Sequence, residues 1–137
     1  MFSFLTELLG FVLASVSAVA FGGVYYRFFH DLWQKNSNRA TSKRDVTQLR
    51  IYALGINFVS AVVLSKVIGV PPSAFSALLR GCLCGFALGG GALAHNYLFT
   101  NTNAVVFIID ALFATLSCGL MSTVLYAFNS PHLVASK

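Results

Sequence analysis

Charge is what this chain most lacks. Only 9% of its 137 residues are Asp, Glu, Lys or Arg, and only four of them are acidic. A soluble domain carries about 25% charged residues, so a water-exposed globular fold is excluded. Proline is scarce as well. Pro71, Pro72 and Pro131 are the whole set, and they leave long stretches without a helix breaker. Cys82, Cys84 and Cys118 all fall within apolar stretches and read as small helix residues with no redox implication. Cys82 and Cys84 are two positions apart, about 200° around a helix, so they cannot share a bridge or a metal ion there. No basic residue precedes the first apolar stretch, as it would in a secretory leader, so the first helix is expected to be retained. Nor is there an Arg-rich, Ser-rich transit peptide. Import into an organelle would have to use internal signals.

What is present is apolar: 57% of residues are hydrophobic and the mean hydropathy is +0.77. These residues gather in four runs, approximately 2–29, 46–68, 73–99 and 103–128. Each run reaches the roughly 20 residues that cross a hydrocarbon core of about 30 Å. A helix is the single segment that crosses lipid with its backbone groups paired. The predicted fold is therefore all-α, an integral membrane four-helix bundle with antiparallel neighbours and short loops. It uses the whole chain as one domain.

The residues between the runs are punctuation. Gly69-Val70-Pro71-Pro72 closes the second helix, Asn129-Ser130-Pro131 closes the fourth, and Thr102 or Asn103 is placed to cap the fourth. Tyr25, Tyr26, Phe28, Phe29 and Trp33 end the first helix in an aromatic cluster of the kind that sits at a membrane–water interface. The segment 27–50 holds six basic and two acidic residues, four of the five net positive charges. Basic excess in a short loop marks the side from which a chain inserts. The first loop is expected on the cytoplasmic or matrix side, with both termini opposite. A nucleic-acid partner is rejected in favour of this topology signal. The same rim, Arg27, Lys35, Arg44 and Arg50, can hold anionic lipid headgroups such as cardiolipin.

Small residues recur every four positions in each run. They are Gly10, Ala14, Ala18 and Gly22 in the first, and Ala53, Asn57, Ala61 and Ser65 in the second. The third has Gly81, Gly85 and Gly89; the fourth has Ala111, Thr115, Gly119, Thr123 and Ala127. Positions four apart share a helix face, and small side chains there let backbones approach closely in lipid. The ridges predict a tightly packed bundle with surface to spare for a partner.

Intramembrane charge is costly and marks candidate sites. Asp110 lies about seven residues into the fourth helix, roughly 10 Å deep. His95, Asn96 and Tyr97 at the end of the third helix, Tyr26 and Arg27 in the first and Arg50 in the second share its end of the bundle. Asp110 is expected to pair with His95, Arg27 or Arg50. The pair would be either a polar clasp fixing the bundle or a proton- or cation-handling cluster. At the opposite end Arg80 either pairs with Glu7 or snorkels. Haem is rejected because His30 and His132 fall outside the spans. No nucleotide loop, zinc motif or Ser–His–acid set is present, so neither a catalytic role nor a resident cofactor is expected.

Several short motifs resemble a four-helix membrane family catalogued as domain of unknown function seventeen sixty-one. They are Gly22-Gly23-Val24-Tyr25 with Trp33, then Gly81 and Gly85, Asn96-Tyr97-Leu98-Phe99 and Phe107-Ile108-Ile109-Asp110-Ala111. The family pattern has Trp-Tyr and a proline after the first glycine, where this chain has Tyr25-Tyr26 and no proline. Arg80 stands where the family often has an acidic residue. The resemblance implies a compact four-helix membrane fold and supplies no activity.

The expected function is a non-catalytic accessory subunit of a larger membrane complex, with other membrane subunits and lipids as partners. An energy-converting complex of the mitochondrial inner membrane is the favoured setting. The alternative is a small homo-oligomeric transporter or channel with Asp110 and His95 in a polar path.

Overall fold

A computed structural model describes residues 2–37, 46–100 and 103–129. Four helices are described: α1, Phe2–Asn36; α2, Val46–Ile68; α3, Ala74–Thr100; and α4, Ala104–Asn129. All four contain windows apolar enough to cross a membrane. The protein is an all-α, integral membrane helical bundle. Large apolar side chains such as Phe28, Val70, Phe86 and Leu98 are exposed, as lipid-facing groups are.

Two of the expected spans need correction. The first helix does not stop at residue 29 but continues seven positions, to Asn36. Hydropathy marks where lipid ends, whereas nothing in the polar stretch 30–36 breaks a helix. At 35 residues α1 is about 52 Å long, well beyond a hydrocarbon core of about 30 Å. Asn36 Nδ2 donates to the Leu32 carbonyl, 2.9 Å, and Lys35 in the last turn complements the helix dipole. The third helix is not uniform. Gly85–Gly90 form a π-helical segment between α-helical Ala74–Cys84 and Gly91–Thr100.

The connections behave as their residues dictate. Gly69 follows α2 with φ +61°, a left-handed conformation that suits glycine. Ser73 opens α3, its Oγ accepting from the Ser76 amide at 3.2 Å. Asn103 caps α4, its Oδ1 accepting from the Val105 amide at 2.9 Å. Thr102, the alternative cap, lies outside the described residues. Arg80 neither pairs with Glu7 nor simply snorkels. Its Nη1 donates to the Ile68 carbonyl at 2.9 Å, satisfying an orphan acceptor at the end of α2.

α4 is the hub. α1 and α3 each pack along it, while α2 lies against α1 and touches α3 and α4 less. Ala14, Ala18 and Ala61 form a core with Leu64, Ile68, Met121 and Leu125. Gly10 is pressed against Phe128 and Gly22 against Phe113, where an added Cβ would come within 3.0 and 3.2 Å. The α3 ridge faces α4. A Cβ at Gly85 would lie 2.6 Å from the Ala114 carbonyl oxygen and 2.9 Å from Thr115 Cα; one at Gly89 would lie 2.9 Å from Ala114 Cβ. At Gly81 it would meet the Cys118 carbonyl oxygen at 2.5 Å. α4 answers with Gly119, seated against Cys82 and Leu78. The four-residue ridges are thus the packing seams. The exceptions are Ala127, which is exposed, and the start of the α2 ridge, where Ala53 and Asn57 are only half-buried.

The π segment settles a phase problem. Tyr97 follows Gly81 by sixteen positions, which in a regular α-helix is about 160° around the axis. Both nevertheless meet α4. A π segment holds about one extra residue per turn, which removes about 100° and leaves the two within about 60°.

Two outcomes follow. Gly85→Ala should destabilise the protein by about 1–3 kcal/mol, because the obstacle is α4 backbone, whereas Gly55→Ala, with open space around it, should be neutral or mildly stabilising; thermal unfolding in mild detergent separates them. Deleting Gly90 should leave the protein folded, since it removes the extra residue and keeps both ends of α3 in phase, while inserting an alanine after Gly90 should release Tyr97 from α4. The same unfolding assay reads both.

Candidate functional site

Asp110 is the one acidic residue deep in a span, and at 8% exposure it is buried. An α-helix cannot satisfy a side-chain carboxylate from its own backbone, so partners must come from its neighbours. Three donors converge on it. Tyr26 Oη donates to Oδ1 at 2.7 Å, Trp33 Nε1 donates to the same oxygen at 3.2 Å, and Tyr97 Oη donates to Oδ2. Tyr26 and Trp33 are seven positions apart on α1 and so share a face. Tyr97 arrives from α3 by way of the π segment. Alongside them Tyr25 Oη donates to the Ile109 carbonyl at 2.9 Å.

The surroundings are aromatic. Phe113, one turn along α4, packs against Tyr26 at 5.0 Å, Tyr25 at 5.6 Å and Phe21 at 5.9 Å between ring centroids. Gly22 makes room for that ring. Tyr97 meets Phe107 edge-on at 6.2 Å. A carboxylate is thereby ringed by neutral donors and apolar faces. Side-chain hydrogen bonds between helices in lipid are worth up to about 2 kcal/mol each. Two helices are tied to α4 through one side chain.

The expected ionic partners are therefore corrected. No ion pair to Asp110 occurs among the described residues. Arg27, Arg50, His95 and Asn96 are all exposed. Arg27 lies about 220° around α1 from Ala14, on the back of the packing ridge. His95 stacks on Phe99 with centroids 4.9 Å apart. Of the expected cluster, Asp110 alone is buried. The lipid-facing candidates Arg27, Lys35 and Arg50 are exposed, and Arg44 lies outside the described residues. Thr115 and Gly119 serve the α3–α4 seam, with Thr115 Oγ1 bonded back to the Ala111 carbonyl at 2.8 Å.

Sequence reasoning misses all three ligands of Asp110: it places Tyr97 at the right end of the bundle without pairing it, and it reads Tyr26 and Trp33 among the aromatic residues that end the first helix. Their seven-residue spacing was the available signal. Asn36 and Asn103 add a rim contact between α1 and α4, Nδ2 of Asn103 donating to Oδ1 of Asn36 at 3.1 Å. Among the described residues no group of three His, Cys, Asp or Glu side chains gathers to hold a metal ion.

Trp33 is the chain's single tryptophan, so its fluorescence reports on this site directly. Asp110→Leu orphans three donors and should shift Trp33 emission and lower stability by more than about 3 kcal/mol. Tyr97→Phe should cost about 1–2 kcal/mol. Asp31→Asn, on an exposed residue that meets His30 at 3.1 Å, should leave both signals unchanged.

No curated protein and no solved structure gives a match to this chain. A family model does match, over residues 9–126. That range holds the glycine seams, Tyr26, Trp33, Tyr97 and Asp110, and the chain belongs to the family described as protein of unknown function (DUF1761).

Proposed function

We propose that the protein is a non-catalytic accessory subunit of a larger membrane complex. The observation that carries this reading is the state of Asp110. Its carboxylate is occupied by Tyr26, Trp33 and Tyr97, so the one deep charge is spent on joining α1, α3 and α4. A transport path needs a charge that exchanges its partners with a passing ion. A clasp needs one that keeps them.

Support for a partner comes from the outer surface. Gly23 on α1 and Gly55 on α2 are exposed, with open space where a Cβ would stand. Small residues are the positions at which a second helix approaches closely in lipid. The favoured setting is an energy-converting complex of the mitochondrial inner membrane, with the first loop toward the matrix.

The test is a gentle-detergent native gel of the source membranes, with mass spectrometry on the band that contains this chain. Migration with unlike, larger subunits is expected. Migration alone as a small oligomer, together with an ion flux that Asp110→Asn abolishes, would overturn the proposal in favour of a transporter or channel.

A further inference from the structure

The chain's three cysteines lie along the seam between α3 and α4, and the seam sorts them. Gly81 and Gly85 face α4, so the residues beside them fall on its two flanks. Cys82 takes one flank, where a Cβ added at Gly119 would come 2.5 Å from its Sγ. Cys84 is nearly opposite Cys82 around the helix, about 200° on, and takes the other.

α4 supplies a partner on that second flank. Cys118 precedes Gly119 and turns about 100° away from it, toward the core of the bundle. There Cys84 and Cys118, both half-buried, pack against the same cluster, which contains Ala61, Met121 and Leu125. The backbones touch at this level, because a Cβ added at Gly85, next to Cys84, would come 2.9 Å from Cys118 Cβ. A disulfide spans Cα atoms about 4.4–6.8 Å apart, and small residues are what let two membrane helices come that near. Cys84 is also the stronger of the two thiol neighbours that Cys118 feels electrostatically, ahead of Cys82. All three thiols are free.

We propose that Cys84 and Cys118 are an oxidisable pair, closing to a disulfide when an organic hydroperoxide is dissolved in the surrounding lipid. One of the two sulfurs, as thiolate, attacks the O–O bond. That bond breaks, an alcohol leaves, and the sulfur becomes a sulfenic acid. The second thiol displaces water from it, and the S–S bond forms. Each sulfur gives up one electron, the hydroperoxide takes both, and the two thiol protons end on the alcohol and the water. Thiolate is scarce in apolar surroundings, so closure is slow and registers sustained oxidant, not a brief pulse. The bond fixes α3 to α4 immediately ahead of the π segment. This inference does not depend on the accessory-subunit reading.

The test exposes the full chain in nanodiscs to cumene hydroperoxide and reads its intact mass and unreduced peptide map. Wild type should lose the mass of two hydrogens and yield a linked pair of peptides carrying Cys84 and Cys118. Its thermal unfolding midpoint should rise, and a reductant should reverse both changes. Cys82→Ser should close as fully as wild type. Cys84→Ser and Cys118→Ser should each abolish the loss of mass, with unchanged Trp33 emission certifying the fold. A link between Cys82 and Cys118, a link between two chains, or oxygen added to the thiols without a bond would each overturn the proposal. So would thiols that stay unaltered after prolonged exposure, read by their later alkylation in detergent.

Discussion

A carboxylate at membrane depth has no water to fall back on. Its lone pairs must be filled by the protein, and every side chain that fills one becomes fixed in place. In this chain that demand falls on Asp110, and the rest of the bundle is arranged around meeting it. Tyr26 and Trp33 set the rotation of α1 against α4, and Tyr97 sets that of α3. The aromatic rings that carry the donors also bury the site, so Phe113 and Gly22 belong to the same device. Neutral donors have an advantage over an arginine here. They bring a carboxylate its hydrogen bonds without the cost of taking a second charge out of water.

Holding α3 by Tyr97 conflicts with holding it by glycines. The Gly81 and Gly85 seam needs one face of the helix, and an unbroken α-helix would carry Tyr97 to nearly the opposite one. The π segment reconciles the two contacts, and it occurs where glycines are densest, at Gly85–Gly90. Side chains there would crowd α4 in any case, since Ala114 and Thr115 lie against the ridge. Close packing and change of phase are therefore met by the same residues.

What the sequence disclosed follows from what its signals measure. Hydropathy measures residence in lipid, so the four spans and their order were legible, while the last turns of α1 were not. Four-residue spacing measures helix faces, and Gly10 and Gly22 landed on α4 while Ala14 and Ala18 landed in the core that α4 shares with α2. The partners of Asp110 were misread because formal charges were matched to formal charges. Arg27 and His95 share its end of the bundle but not its face, and Arg50 stands where α2 is exposed all round. Phase arithmetic along α1 sends Arg27 to the back and brings Tyr26 and Trp33 forward together. The π segment left one trace in the sequence, the mismatch in phase between Gly81 and Tyr97, visible only once both are known to meet α4.

The bundle is unequal in its bonding, and α2 is where the inequality shows. α1, α3 and α4 share side-chain hydrogen bonds across their interfaces. Polar groups of α2 turn back on their own helix instead: Asn57 Nδ2 donates to the Ala53 carbonyl at 2.8 Å and Ser65 Oγ to that of Val62 at 2.7 Å. Helix association in lipid draws on close packing and interhelical hydrogen bonds, because lipid tails are as apolar as the side chains. Among the described residues α2 is fully buried only from Ala61 onward, with Phe58 edge-on to Phe11 of α1 at 6.2 Å and the cap that Arg80 places on Ile68. Its placement against the other three is consequently the least constrained in the bundle. The clasped three-helix unit supplies rigidity, and α2 supplies the surface that answers to the membrane around it.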